Sequence, residues 1–326
     1  MKLIVNIPAY NEEKKIGETI ARIKKSFEAD FYKNGIGTMI SEKVIHVTDD
    51  GSKDNTVQIA KATGVDFVHS HQVNRGIGIV FRTSVGKALK NGADFMVNID
   101  ADGQFDPEDI PKILEPVLAG EADMVSADRF GEFQAKNMPY FKYWINRFAA
   151  MIIGRFMNTK INDLTCGFRA YNRETLLRLN LPGNFTYTQE VIIDALGKNL
   201  KIKWVPVEVT YFDERKSRVV KSIFKYVNDS FRIILKAIRD VRPMKFFGIP
   251  GVTMIAASLG FFMYFLFFYF QDFKVSPYRN IILVAVTLFV VGLQFFVFAL
   301  MADMIRTNRR LIEDQTYLIR KQKYKR

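Results

Sequence analysis

The chain has 326 residues, which is long enough for one large domain or two modest ones. Lys and Arg outnumber Asp and Glu by 47 to 34, and most of this excess flanks two apolar segments near the C-terminus, so we exclude a nucleic-acid partner. A single cysteine, Cys166, excludes an internal disulfide bond and suits a reducing compartment.

The first 220 residues alternate short apolar runs with helical patterns. Strands are predicted at 2–7, 44–48, 65–68, 95–99 and 124–127, and helices at 12–27, 55–62, 78–91 and 109–119. Strands that alternate with helices imply right-handed crossovers and a mostly parallel sheet. The sequence therefore predicts an α/β fold with helices flanking that sheet.

Polar motifs follow three of the predicted strands. They are Pro8–Glu12, Asp49–Ser52 and Asp100–Gln104. In open parallel sheets, ligands bind beyond the carboxyl ends of the strands. Acidic residues at equivalent points of successive strands therefore predict one shared site.

The motif Asp100-Ala101-Asp102-Gly103-Gln104 carries ligands for a hard cation. Alternate residues of an extended chain point the same way, so Asp100 and Asp102 are expected on one edge of the turn, with Gln104 beyond them. Two carboxylates and an amide oxygen suit Mg²⁺ or Mn²⁺ with positions open for phosphate oxygens. The alternative is a solvated acidic turn. The pair His69 and His71 could also bind metal, but we interpret both as polar surface.

Two uncharged segments, 246–270 and 281–302, are each long enough to cross a bilayer. The alternative, a pair of buried core helices, would normally keep one polar face. Before them, 219–245 has one apolar and one basic stripe, which indicates a helix in the membrane interface or a helix packed on the soluble domain. Basic residues precede the first span and follow the second, in 304–326, so the large domain and the tail are expected in the cytoplasm.

Taken together, the motifs resemble those of family 2 glycosyltransferases with the GT-A fold, in particular the dolichyl-phosphate mannose synthase and polyprenyl-phosphate glucosyltransferase group. The resemblance covers about residues 3–218, which we expect to form the catalytic domain. The matching segments are Ile7–Glu13, Asp49–Ser52 with Asp54 and Thr56, Asn74–Gly78, and Asp100–Gln104.

The resemblance implies roles for individual residues. The nucleotide pocket would be lined by Pro8, Tyr10, Glu12 and Asp50, and Asp100 would lie near the ribose and the metal, with Asp102 and Gln104 as metal ligands. Arg129 would face the donor phosphates, and Glu190 would face the sugar. The acceptor phosphate would be held by Arg215, Ser217 and Arg218. The predicted helix 140–157 either guards the acceptor entrance, where Arg147 would meet the lipid phosphate, or packs as an ordinary helix.

The resemblance further implies an enzyme that transfers a hexose from UDP-glucose, GDP-mannose or a similar donor to undecaprenyl or dolichyl phosphate. The transfer would take place at the cytoplasmic membrane face and would invert the configuration at the anomeric carbon of the sugar. Mg²⁺ or Mn²⁺ would be the cofactor. Similar two-span members often assemble through their membrane helices, so a homo-oligomer is a further expectation.

Two other functions are open to this sequence. A processive polysaccharide synthase would carry Gln-x-x-Arg-Trp and more spans, but neither Trp144 nor Trp204 follows such a segment. A non-catalytic membrane scaffold or nucleotide-sugar sensor would not require the complete set of acidic motifs.

Overall fold

A seven-stranded sheet lies at the centre of the N-terminal part of the chain in the computed structural model. The structure describes residues 1–131, 138, 140–180, 187–210, 231, 232, 235 and 238–325. Its strands are β1 Lys2–Ala9, β2 Glu42–Asp49, β3 Phe67–Ser70, β4 Phe95–Asn98, β5 Met124–Asp128, β6 Arg169–Asn172 and β7 Ile202–Pro206.

The strands are arranged in the order β3-β2-β1-β4-β6-β5-β7. All neighbours are parallel except β6, which runs antiparallel to both β4 and β5. From β1 the chain builds outward through β2 and β3, and then returns to place β4 on the other side of β1. The point between β1 and β4 is therefore the topological switch point, where open α/β sheets bind ligands.

Seven helices accompany the sheet in the described part of the first unit. They are α1 Ile16–Ser26, α2 Thr56–Ala62, α3 Ile77–Lys90, α4 Ile110–Leu118, α5 Tyr140–Met157, α6 Arg173–Arg178 and α7 Thr188–Gly197. In α1, Ile16, Ile20 and Ile23 recur at helical spacing and are fully buried against the sheet.

The two faces of the sheet differ in chemistry. One face contributes Val5, Val97, Ala170 and Val125 to the main apolar core. On the other face, the strand register aligns a row of polar residues. This row consists of His46, Asn6, Asn98, Arg169 and Ser126, each at most 1% exposed.

Two long helices follow: α8 Pro243–Asp272 and α9 Arg279–Lys323. Contacts divide the chain into one unit of Met1–Ile234 with Glu313–Arg326 and a second of Leu235–Ile312. Within the second unit, Ser258 Oγ donates to the carbonyl oxygen of Ala285 at 2.7 Å. A Cβ on Gly251 would lie 3.0 Å from the carbonyl oxygen of Gly292, so the two helix backbones approach closely.

The fold class predicted from the sequence is confirmed, together with a pair of long apolar helices. The proposed segment 219–245 lies mostly outside the described residues, and its role stays a prediction. The segment 304–326, expected as a separate basic tail, continues α9 as far as Lys323, and Glu313–Arg326 belongs to the first unit.

Candidate active site

The turns after β1 and β2 are joined by hydrogen bonds at the carboxyl edge of the sheet. The amide of Asn11, which has a φ of +52°, donates to Ser52 Oγ at 2.8 Å, and the amide of Lys53 donates back to Asn11 Oδ1 at 2.8 Å. The amide of Glu12 donates to Thr56 Oγ1 at 2.8 Å. Two of the sequence motifs are thus brought together, which places the buried Pro8 and the half-buried Tyr10 and Glu12 at one edge.

Asp50 connects the turn after β2 to the loop that precedes α3. Its carboxylate accepts hydrogen bonds from the amides of Arg75 and Gly76, at 2.9 and 2.8 Å. The residue is only 3% exposed. The motif Asn74–Gly78 therefore lies against Asp49–Ser52. A contact between Asp50 and the donor base stays a prediction.

The acidic turn after β4 lies next to the end of β1. Asp100 and Asp102 are half-buried, and Asp102 Oδ1 accepts from the amide of Gln104 at 3.1 Å, across Gly103 with a φ of +72°. The carbonyl oxygen of Gln104 accepts from the amide of Thr210 at 3.2 Å, which anchors the turn to the segment after β7.

The donor set of this turn fits a hard divalent ion. Among the described residues, no three His, Cys, Asp or Glu side chains form a metal cluster by themselves. Mg²⁺, however, usually binds proteins through one or two carboxylates and leaves its other positions to water and substrate phosphates. Asp100 and Asp102, close together at the switch point, are such a pair of oxygen donors.

A chain of buried polar side chains runs beneath this edge. Ser84 Oγ donates to Thr48 Oγ1 at 2.9 Å, and Thr48 Oγ1 donates to Asn6 Oδ1 at 2.9 Å. Asn6 Nδ2 then donates to Asn98 Oδ1 at 2.7 Å, and Asn98 Nδ2 to the Tyr187 hydroxyl at 2.8 Å. Such a satisfied network rigidifies the sheet directly below the site.

Tyr187 brings this chain next to Asp100. A Cβ on Gly167 would lie 2.9 Å from Asp100 Oδ2 and 3.1 Å from the Tyr187 hydroxyl oxygen, so all three residues meet at one point. Burial, and then the charge of Asp100, raises the pKa of Tyr187 well above its ordinary value. The phenol therefore stays protonated at neutral pH and can act as a hydrogen-bond donor.

Arg129 forms a buried, bidentate ion pair with Asp163. Its Nε and Nη2 atoms donate to the two carboxylate oxygens at 2.6 and 2.8 Å, and Nη2 also donates to Thr165 Oγ1 at 2.6 Å. Burial alone would raise the pKa of Asp163, but the charge and hydrogen bonds of Arg129 outweigh it, so the pKa lies below its usual value. Two nitrogens of Arg129 are thus already engaged, and its contact with donor phosphates stays a prediction.

The remaining candidates are more dispersed. Glu190 is half-buried in the first turn of α7, three residues after Tyr187, and Arg147 is exposed on α5. Arg215, Ser217 and Arg218 lie outside the described residues. The roles assigned to these five residues stay predictions.

The model of the family described as glycosyl transferase family 2 matches residues 4–179, more than half of the chain. The chain belongs to this family. It is therefore a glycosyltransferase, as predicted from its motifs.

Relatives of the enzyme agree with this assignment. It is 34% identical over 244 residues to uncharacterized protein MJ1222 of Methanocaldococcus jannaschii, covering 73% of this chain and 91% of the relative. It is 29% identical to the UDP-N-acetylglucosamine–dolichyl-phosphate N-acetylglucosaminyltransferase of Methanococcus voltae, over 65% of this chain and 87% of the relative.

Among solved structures, the glycosyltransferase resembles glucosyl-3-phosphoglycerate synthase from Mycobacterium tuberculosis in complex with Mn²⁺, UDP and glucosyl-3-phosphoglycerate. The TM-score is 0.55 with 20% identity, over 74% of this chain and 79% of that one. This similarity shows the fold and confirms the GT-A type expected from the motifs.

Sequence reasoning missed part of the site of this glycosyltransferase. Asn6 and Asn98 interrupt otherwise apolar strands, which is a visible signal, but their pairing depends on strand order. The interpretation of His71 as polar surface is wrong, because its side chain is only 6% exposed and contacts Asp50.

Proposed function

We propose that this glycosyltransferase moves a hexose from a nucleotide sugar of the UDP-glucose or GDP-mannose type to a polyisoprenyl phosphate at the cytoplasmic face of a membrane. The transfer inverts the configuration at the anomeric carbon and requires a divalent metal ion. The observation that carries the proposal is the placement of Asp100 and Asp102 at the β1–β4 switch point, in a family 2 chain that also has two long apolar helices.

A lipid acceptor is supported by two observations. The described residues include two helices whose length and composition suffice to cross a membrane, and only 17% and 11% of their most apolar windows are buried. Core helices of a soluble protein would be mostly buried. In addition, the relative from Methanococcus voltae is named for transfer to dolichyl phosphate.

Metal dependence is supported by the donor set and by the structural neighbour that holds Mn²⁺ together with UDP. Asp100 and Asp102 would hold the ion, with the Gln104 side chain as a further oxygen donor. When bound, Mg²⁺ or Mn²⁺ stabilises the negative charge that develops on a departing nucleoside diphosphate.

The proposed reaction is a single in-line displacement. An oxygen of the acceptor phosphate forms a bond to the anomeric carbon while the bond from that carbon to the nucleoside diphosphate oxygen breaks. A phosphate monoester has a second pKa of about 6, so at neutral pH the acceptor is mostly dianionic and needs little help from a general base. The protein is therefore expected to act mainly by positioning the two substrates.

Positioning residues are proposed on both sides of the reacting carbon. Tyr10, Glu12 and Asp50 would line the nucleoside side of the donor site, and Glu190 would lie near the sugar. Arg147 is proposed to meet the lipid phosphate together with Arg215, Ser217 and Arg218, because a guanidinium can bind phosphate through two parallel hydrogen bonds.

Replacement of Asp102 by Asn tests the proposal. The variant keeps the size of the side chain but removes a charged metal ligand, so we expect loss of transfer by about two orders of magnitude or more. Asp106→Asn is the matched control four residues later. Asn still caps the 3-10 helix Pro107–Asp109, and only a surface pair with Arg22 is lost. Release of nucleoside diphosphate and glycolipid formation would be measured in detergent with Mg²⁺ or Mn²⁺.

Several nucleotide sugars should be screened with and without polyprenyl phosphate. Release that depends on the lipid and yields a single-sugar lipid supports the proposal. A growing polymer would indicate a processive synthase, and no release with any donor would indicate a scaffold or sensor. Full activity of Asp102→Asn would contradict the assignment of Asp102 as a metal ligand, but it would not contradict the proposed transferase function.

A further inference from the structure

His71 follows the carboxyl end of β3 and lies between the buried Asp50 and the half-buried Thr83. Its Nδ1 atom is 2.9 Å from Asp50 Oδ1 and its Nε2 atom is 3.0 Å from Thr83 Oγ1 in α3. The side chains of His71 and Asp50 are 6% and 5% exposed. The imidazole therefore bridges the turn after β2 and the helix α3.

The chemistry of this bridge fixes the direction of one hydrogen bond. An ionised carboxylate only accepts, so the proton must be on Nδ1 of His71 and is donated to Asp50. In the neutral ring Nε2 then accepts from the Thr83 hydroxyl. This arrangement leaves the imidazole one orientation, which in turn holds the Asp50 carboxylate.

The backbone of the loop 71–76 is held against the same carboxylate. Asp50 Oδ1 also accepts from the amide of Arg75, Asp50 Oδ2 accepts from the amide of Gly76, and the amide of His71 donates to the carbonyl oxygen of Asp49 at 3.0 Å. A Cβ on Gly51 would lie 2.8 Å from the carbonyl carbon of Val73, so the loop and the turn are in direct backbone contact.

His71, Asp50 and the loop 71–76 lie at a distance from the acidic turn that suits the nucleoside end of the donor. β2 is two strands from β4, and neighbouring strands are about 4.8 Å apart, so Asp50 lies roughly 10 Å along the sheet edge from the acidic turn. If the acidic turn meets the diphosphate, this separation places the loop beside the nucleoside.

We infer that His71 is a positioning residue, which holds Asp50 and the loop 71–76 in the shape that binds the nucleoside of the donor. The inference rests on the proposed function, because it needs a nucleotide-sugar site at this edge. It assigns to His71 no contact with the reacting atoms. Its loss should therefore weaken donor binding more than it slows the transfer step.

Two substitutions of His71 separate its two hydrogen bonds. In His71→Asn, the amide nitrogen takes about the place of Nδ1 and can still donate to Asp50. In His71→Gln, the amide lies near the place of Nε2, so contact with Thr83 can persist while donation to Asp50 is lost. We expect His71→Gln to raise the donor KM about tenfold with kcat within about twofold, and His71→Asn to keep the donor KM within about threefold.

Two further variants complete the experiment. His69→Asn is the matched control, because His69 touches His71 only edge to face, with ring centroids 5.7 Å apart. Thr83→Val removes the second partner of the imidazole and should raise the donor KM by less than His71→Gln does. Affinities for UDP and GDP with Mn²⁺, and the melting temperature in detergent, should be measured for every variant.

The experiment distinguishes a failure of the inference from a failure of the proposed function. Absence of nucleotide binding and of transfer in the unsubstituted enzyme would overturn the proposed function itself. If that enzyme is active, an unchanged donor KM in His71→Gln would overturn the inference. So would a lower kcat at unchanged KM, or an equal defect in His71→Asn. Should His71→Gln fail to fold, the donor KM values of the other variants still decide. A donor KM that rises in Thr83→Val but not in His71→Asn or His69→Asn supports the inference, and equal values in all three overturn it.

Discussion

Gly167 shows how a single missing side chain shapes the site. Its φ lies outside the left-handed region, so glycine is needed there for space and not for backbone conformation. The absent Cβ would meet Asp100 Oδ2 at 2.9 Å and the Tyr187 hydroxyl at 3.1 Å. The carboxylate is the end of a side chain that can rotate, so Gly167→Ala should displace Asp100 while the strands stay in place.

We expect Gly167→Ala to lower kcat by about 10- to 100-fold, because a shift of about 1 Å at a reacting group has that effect. The melting temperature should change little. Gly86→Ala in α3 is the matched control, since no atom lies within 4 Å of its added Cβ, and alanine stabilises a helix by about 0.5–1 kcal/mol. Wild-type turnover by Gly167→Ala would show that Asp100 tolerates a different position.

At the scale of single residues, the sequence predicted which residues follow the strands better than it predicted the contacts that those residues make. Asp100, Asp102 and Asp50 were recognisable because acidic residues followed apolar runs. The partners of Asp50 and Arg129, which are His71 and Asp163, come from segments at least 21 residues away. No local periodicity reports such pairs, since tertiary packing creates them.

The last turns of α9 pack on α6 within the first unit. Arg320 Nη1 donates to the carbonyl oxygens of Leu177 and Leu179, at 3.2 and 2.7 Å, and the Tyr317 hydroxyl donates to Glu174 Oε2 at 3.1 Å. The carbonyls at the end of a helix lack partners within the helix, and a cation there is favourable. Arg320 thus caps α6 from a segment about 140 residues later in the chain.

Arg320→Ala should loosen both α6 and the end of α9. A hydrogen bond to a charged group contributes about 1.5–3 kcal/mol, so amide hydrogen exchange should become about tenfold faster in residues 174–180 and 313–325. Gln322→Ala, an exposed position of the same helix, should leave both segments unchanged. Faster exchange in only one of the two segments would argue against a direct contact between them.

Elements were predicted where their patterns are local. The alternating strands and helices up to β5 follow from apolar periodicity, and the structure adjusts their ends by a few residues. β6 escaped prediction because Arg169–Asn172 has a charged and a polar residue at its two ends and no apolar run, and its antiparallel placement depends on its neighbours on both sides. α9 extends to Lys323 because charge ends an apolar span but does not end a helix.

At the scale of the whole molecule, the chain combines a soluble-type α/β unit with a second unit that exposes apolar surface. In α8 and α9, large side chains such as Met263, Phe267, Phe270 and Leu283 are more than 60% exposed. Exposed apolar patches of this extent mark interaction with a membrane or a partner. The basic residues on both flanks of this unit set the expected orientation.

Four basic residues precede α8 or open it, and eight follow the apolar part of α9. The connection between the two helices has only Lys274, and Arg279 opens α9. The positive-inside rule therefore predicts that the connection lies outside the cytoplasm and the catalytic unit inside. The basic residues are Lys236, Arg239, Arg242 and Lys245 on one side, and Arg306, Arg309, Arg310, Arg320, Lys321, Lys323, Lys325 and Arg326 on the other.

The chemistry of the single cysteine makes this orientation directly testable. Cys166 is fully buried, and burial raises the pKa of its thiol to about 12, so it should not react with maleimides at neutral pH. The unsubstituted protein therefore serves as the blank. Ser276→Cys, in the connection, should be labelled by a membrane-impermeant maleimide in intact cells, whereas Lys325→Cys should be labelled only after permeabilisation. The reverse pattern would invert the topology, and labelling of both positions in intact cells would contradict a membrane-spanning hairpin.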